Sequence, residues 1–284
     1  MHLNNLDEQV DNTLKEMLND ITSVQLELSN LCNLAMLHKK CYAHESEHKN
    51  GKIILSGAIV RETLELLKTY GWDGLNKEIK FHEYNEPTND PRLLKFVEEA
   101  RQCCPQTNIL LWTNGWYLND TIMREMIESG INRFRITAYS DSENERFEHL
   151  REQMNTALLT QNLKPANNLP VYVRINRRTQ LDDRLQILEN SEGQEFPSCY
   201  ALKGLSIRAN GFITMCCMDV YQTVTMGNVK EGVIETLLEN MAKREIIRKG
   251  LQEGLRTEGV CKKCNHARPN AEYSAQQWEA YKIG

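Results

Sequence analysis

The sequence predicts an α/β fold built on a parallel sheet or barrel, with helices outside and a smaller C-terminal attachment. Three observations carry this. From residue 23 to about 180, short runs rich in β-branched and aromatic residues alternate with longer helical runs. The helical runs start and stop at capping residues. Beyond residue 200 the alternation gives way to a hairpin pattern and a group of cysteines. Repeated β-α units imply parallel strands with helices packed outside them.

Taken in order, residues 1–20 form an amphipathic helix through Leu6, Val10, Leu14 and Leu18. "VQLEL", "EIKFHEY", "NILLWT", "RFRIT" and "VYVRIN" are too short for helices and read as five strands. Between them, Ser56 caps a helix whose apolar face is Ile59, Leu64 and Leu67, stopping at Gly71. Asp90 followed by Pro91 predicts an N-cap with proline in the first turn. Asn119 or Asp120 caps a helix ending at Gly130, and residues 143–158 are helical. "KGLSIRANGFITMCC" predicts a hairpin with a two-residue turn at Asn210–Gly211. Helical sequence follows at 232–252. The boundary between the parts is placed within 190–198, which gives residues 1–20, 21–195 and 196–284 as three units.

The 284 residues, 40% of them hydrophobic, suffice for one large domain or a domain with an attachment. A net charge of −5 argues against broad binding of nucleic acid or acidic membranes. No long apolar run predicts a membrane span. The polar, acidic start does not read as a secretory signal, so the expected location is the cytoplasm. Nine cysteines in a reducing compartment point to metal chemistry or buried thiols rather than disulfides.

In parallel sheets the chemistry sits in loops after the C-terminal strand ends. Those loops here are "NLCNLAMLHKKC", "NEP" and "TNGW", with Thr137 and Tyr139 closing the fourth strand. Farther on, Cys199, Cys216 and the pair Cys261–Cys264 offer four thiolates, a set that suits zinc or an iron–sulfur cluster.

The spacing C-x11-G-x4-C, then "MGNV" and C-x2-C, resembles the SPASM/twitch extension of radical S-adenosylmethionine (radical SAM) enzymes. "ELSNLCN", "YNEP" and "TNG" resemble that family's rim motifs. The resemblance implies a partial (β/α)6 TIM-like barrel with a twitch/SPASM-like α+β extension, and a [4Fe-4S] cluster that binds S-adenosylmethionine. It implies an auxiliary [4Fe-4S] cluster on Cys199, Cys216, Cys261 and Cys264. Family members usually carry C-x3-C-x2-C in the first loop. Here Cys32 fits the first position, while Met36 and Lys39 occupy the other two. The loop is then rearranged, with Cys32, Cys41 and His38 as ligands, or it has lost its cluster, or it has been deliberately altered.

The resemblance further implies that Glu86 holds the amine of S-adenosylmethionine, and that Asn114, Thr137 and Arg174 line the cofactor pocket. Arg184 is implied as a substrate contact, and Cys217 as a hydrogen-atom donor to a substrate radical. Size and the short extension are similar to family members of aminoglycoside biosynthesis, a cyclitol dehydrogenase and epimerases. The expected activity is hydrogen-atom abstraction from a small polyhydroxylated, sugar- or cyclitol-like metabolite, giving oxidation or epimerisation. A flavodoxin- or ferredoxin-type electron donor is implied. A ribosomal-peptide maturase, or an iron–sulfur protein without catalysis, are the alternatives.

Overall fold

The computed structural model describes residues 2–35, 42–43, 50–178, 199–217, 219–224, 226–254, 261 and 278–284. Helix α1 (His2–Asp20) precedes four β/α repeats and a fifth strand. These are β1 (Ser23–Leu26), α2 (Gly57–Thr69), β2 (Glu78–Lys80), α3 (Leu93–Cys103), β3 (Asn108–Thr113), α4 (Asp120–Ser129), β4 (Arg133–Ala138), α5 (Asp141–Leu159) and β5 (Val171–Arg177). Strands β6 (Gly204–Ile207) and β7 (Ile213–Thr214), helix α6 (Val233–Gln252) and strand β8 (Lys282–Ile283) follow.

All eight strands form one sheet in the order β7-β6-β1-β2-β3-β4-β5-β8. The first five run parallel in sequence order. The sixth parallel strand does not extend this series beyond β5. It comes from the C-terminal part and pairs with β1, Ser23 opposite Gly204 and Leu26 opposite Ile207. The edges are closed by antiparallel β7 and β8.

The helix ends follow side-chain chemistry. Ser56 accepts from the Ala58 N–H and Asn119 from the Ile122 N–H, each satisfying a donor the helix leaves open. Ser140 caps α5 through the Glu143 N–H, while Glu143 reaches back to the Tyr139 N–H. This capping box, displaced by one residue, starts the helix two positions earlier than periodicity alone suggests.

Three expectations need correction. Asp90 does not cap α3 directly: it ends the short 3-10 turn Pro87–Asn89, and its carboxylate takes the Arg92 N–H and guanidinium. The α-helical bonding starts from Arg92, whose carbonyl takes the Phe96 N–H, so α3 begins only at Leu93. Val10 is exposed, and the buried stripe of α1 is Leu14, Met17 and Leu18. The hairpin has a three-residue loop, because Gly211 N–H bonds back to Arg208 and Arg208 N–H to Phe212. Positive φ falls on Gly211 alone, at +88°, so the turn is not the primed type that needs it twice.

The sheet has two unlike faces. Val24, Leu26, Ile79, Ile109, Leu111, Phe134, Ile136, Val171 and Val173 point one way and are buried with the helices in the main core. Their neighbours point the other way: Gln25, Glu78, Lys80, Trp112, Arg133, Arg135, Tyr172 and Arg174. A separate small cluster of Leu110, Tyr172 and Trp278 lies on that polar face. Among the described residues no helix is long and apolar enough to cross a membrane.

Candidate active site

The rim loops are tied together by one carboxylate. Glu86, 2% exposed, accepts from the Thr88 N–H (3.2 Å), the Thr88 hydroxyl (2.6 Å), the Thr113 hydroxyl (2.6 Å) and the Asn114 N–H (2.7 Å). Its own N–H donates to Leu31 O at 2.9 Å. Asn114 in turn donates from Nδ2 to Asn33 Oδ1 at 2.8 Å. Both neighbours of Cys32 are thereby anchored to the loops after β2 and β3, and Cys32 is placed at the meeting point. Burial raises the Glu86 pKa, and the four hydrogen bonds oppose that rise. A carboxylate offers about four lone-pair sites, so Glu86 is occupied as a clamp between loops.

Gly115 explains why "TNG" ends in glycine. Its φ is +70°, and a Cβ there would stand 2.4 Å from Phe147 Cζ and 2.9 Å from Ile136 Cγ2. Only a glycine lets the loop lie this close to α5.

Trp112 organises the polar face near the rim. Its indole N–H donates to Thr137 Oγ1 at 3.2 Å, and its backbone N–H donates to His82 Nδ1 at 3.3 Å. Burial, then the charges of Lys80 and Arg135, holds the His82 pKa well below the usual imidazole range. The ring is neutral, with its proton on Nε2. Glu78 pairs with Lys80 at 2.9 Å and Arg133 at 3.2 Å.

A second charged group joins the barrel strands to the C-terminal hairpin. Arg208, 2% exposed, pairs with Glu27 at 3.0 Å and lies against the rings of Tyr42 and Tyr84, 4.5 Å and 4.2 Å from their centroids. Glu27 also accepts the Ala209 and Tyr84 N–H groups. Glu83 accepts from Gln25 and Ser206. Burial pushes its pKa up to about 7, against the lowering effect of Arg208 and Ser206. Sequence reasoning missed Glu27, Glu83 and Arg208. Alternation in "VQLEL" and "GLSIR" marks a wet face that carries Glu27 and Arg208 one by one, but not their pairing, and Glu83 follows His82 out of the alternation and is not marked by it.

Cys199, Cys216 and Cys217 all lie within electrostatic reach of Tyr200. Burial raises the Tyr200 pKa, and Cys217, Cys216 and Cys199 raise it further. Burial likewise pushes the Cys217 thiol up to about 11. β7 ends at Thr214, so Cys216 and Cys217 lie beyond the strand. Strand pleating therefore does not turn them to opposite faces, and both lie within electrostatic reach of Tyr200. Cys261 packs against the main core. Met36, His38, Lys39, Cys41, Arg184 and Cys264 lie outside the described residues. Among the described residues, no three Cys, His, Asp or Glu side chains converge on one point. The donor chemistry of Cys199, Cys216 and Cys261, two of them beside one tyrosine hydroxyl, nevertheless suits thiolate ligation of an iron–sulfur cluster. A recess of about 520 Å³ among Leu94, Glu98, Arg101 and Glu125 lies between the outer helices, away from all these groups.

Comparison with known proteins places this geometry. Residues 199–265 match the SPASM iron–sulfur cluster-binding domain. An S-adenosyl-L-methionine-dependent 2-deoxy-scyllo-inosamine dehydrogenase of Niallia circulans is 26% identical over 248 residues, 86% of this chain and 92% of that protein. The crystal structure of BtrN with AdoMet and 2-DOIA superposes with a TM-score of 0.62 at 22% identity, covering 93% of this chain and 98% of BtrN. BtrN in an open conformation gives 0.59 at 20% identity, covering 87% and 92%. The chain therefore shares the fold of BtrN over nearly its whole length, and its residues 199–265 match a SPASM iron–sulfur cluster-binding domain.

Proposed function

We propose that the protein is a radical SAM oxidoreductase that takes a hydrogen atom from a small polyhydroxylated, cyclitol- or sugar-like metabolite. The observation that carries this is the polar sheet face, lined by fixed donors and acceptors, beneath a rim that anchors both neighbours of Cys32. The relationship to a cyclitol dehydrogenase over most of both chains supports the substrate class. When bound, S-adenosylmethionine beside a reduced [4Fe-4S] cluster supplies the hydrogen-atom abstraction.

The chain's own residues do the positioning. Glu86 and Asn114 hold the Cys32 loop. Asn114 and Thr137 line the rim where S-adenosylmethionine binds, and Trp112 fixes the Thr137 hydroxyl. Cys199, Cys216, Cys261 and Cys264 ligate the auxiliary cluster, the outlet for the second electron of an oxidation. Residues 21–195 supply five of the parallel strands, and 196–284 supply the sixth together with the cluster-bearing segment. A flavodoxin- or ferredoxin-type protein in the cytoplasm delivers the electrons.

Anaerobic reconstitution with iron and sulfide, followed by reduction with S-adenosylmethionine present, tests the reading. Formation of 5′-deoxyadenosine is expected. A fully reconstituted protein that forms none is a non-catalytic iron–sulfur protein instead. Cys217, whose carbonyl takes the Tyr84 hydroxyl beside the polar face, favours one variant of the reading. If it donates a hydrogen atom, turnover in deuterated water inverts one carbon and labels it, and Cys217→Ala abolishes the inversion. An oxidised, unlabelled product assigns dehydrogenation.

A further inference from the structure

We propose that Arg135 and Arg174 together bind a carboxylate or phosphate group of the substrate. The proposal rests on the reading of the polar face as the substrate side of the sheet, and it deepens the substrate class.

The two arginines stand opposite each other in register on β4 and β5. Side chains at paired positions of neighbouring strands share a face and start about 5 Å apart. Each guanidinium is held by an aromatic ring. Arg135 lies 4.0 Å over the Trp112 ring, and Arg174 lies 5.1 Å from the Tyr281 centroid. Stacking on a ring leaves the edge N–H groups of a guanidinium free to point outward.

Neither arginine has an acceptor among the described residues. Arg135 Nε is fully buried without a hydrogen-bond partner. Arginines elsewhere are treated differently. Arg101 donates to the carbonyls of Cys104, Pro105, Thr107 and Gly130, and Arg244 to those of Leu202 and Gly204. Arg146 donates to Leu118 and Gly115, and Arg92 pairs with Asp90. The acids on the polar face are already engaged. Glu78 serves Lys80 and Arg133, Glu83 serves Gln25 and Ser206, and Glu279 takes the Tyr172 hydroxyl.

Two adjacent, partly buried cations without a counterion disfavour each other. A hydroxyl cannot neutralise them. A planar carboxylate or a phosphate can, by accepting from two guanidinium edges at once. The relative of Niallia circulans is named for an amino-cyclitol; the pair here selects a metabolite that carries an anionic group beside its hydroxyls. The methionine carboxylate of S-adenosylmethionine has the same chemistry and is the rival occupant.

Inorganic phosphate is the probe, titrated calorimetrically into the iron–sulfur-loaded protein. Saturable binding is expected, weakened about tenfold or more in Arg135→Gln and in Arg174→Gln. Arg135→Lys and Arg174→Lys keep the charge and lose the fork. They are expected to fall between, and they serve if the glutamine variants do not fold. Arg177→Gln, which removes a surface partner of Asp141, should bind phosphate normally. Saturating phosphate should leave the affinity for S-adenosylmethionine unchanged. No saturable binding, an equal loss in Arg177→Gln, or competition between phosphate and S-adenosylmethionine overturns the proposal. Phosphate binding as expected in a protein that forms no 5′-deoxyadenosine would remove the catalytic reading and leave the anion site standing.

Discussion

Glu83 and Glu86 sit three residues apart in one loop and do different things. Glu86 ties loops, and its loss strands the Asn114 N–H and two threonine hydroxyls. Glu86→Ala is expected to destabilise by about 2–3 kcal/mol, measured by urea unfolding, because buried donors lose their acceptor. Glu83 makes stability depend on pH. Its folded pKa, about 7, lies above the ordinary 4.5, so the folded protein holds the proton more tightly than the unfolded chain. Stability contributed by this group is full below about pH 4.5 and is lost as pH rises through 7. Glu83→Gln should flatten the fall in urea midpoint between pH 5 and pH 8. A variant as steep as the parent would place that dependence elsewhere.

At the scale of elements, the short linkages are the sensitive ones. Gly211 closes the β6–β7 loop at a φ of +88°, and a Cβ there would lie 2.6 Å from Asn228 Oδ1 and 3.0 Å from Lys230 Cγ. Gly211→Ala is expected to disturb the segment leading to Cys216 and to lower iron content, while the midpoint of global unfolding moves less. Iron retained in full would show that the loop does not set the Cys216 position. Helix caps are simpler. Asn119→Ala should cost about 1 kcal/mol in a denaturant titration, the usual worth of an N-cap.

Strand and helix positions were legible because alternation and capping are local. The Asp90 cap was misread because Asp90-Pro91 fits the N-cap pattern, whereas Asp90 closes a 3-10 turn and Arg92 stands at the helix start. The hairpin loop was misread because Asn-Gly fits two turn types, and only the positive φ at Gly211 tells them apart.

At the scale of the whole molecule, the SPASM match spans Cys199, Cys216, Cys261 and Cys264. Changing Cys261 and Cys264 to alanine should remove about half the bound iron if two clusters are present, and nearly all if there is only one. Unchanged iron would reject those ligands. The cysteine spacing and rim motifs made the C-terminal cysteines and the rim loops readable in advance. The Glu27–Arg208 pair was not readable, because its members are 181 positions apart and meet only through β6 pairing with β1. The same holds for Arg135 and Arg174, whose lack of acceptors depends on what the rest of the polar face already uses.

That pairing has a consequence for how the chain is made. β1, synthesised well before β6, cannot complete its hydrogen bonds on one side until β6 has been made. Until then β1 is an open edge, with its backbone groups available to any neighbouring chain. Closure over such a sequence separation is slow compared with forming the local β/α repeats. A fragment of residues 1–195 is therefore expected to expose β1 and aggregate on expression, and supplying residues 196–284 in trans should restore solubility. The C-terminal part thus acts in assembly as well as in chemistry: it is the segment that lets a partly built sheet stop recruiting strands.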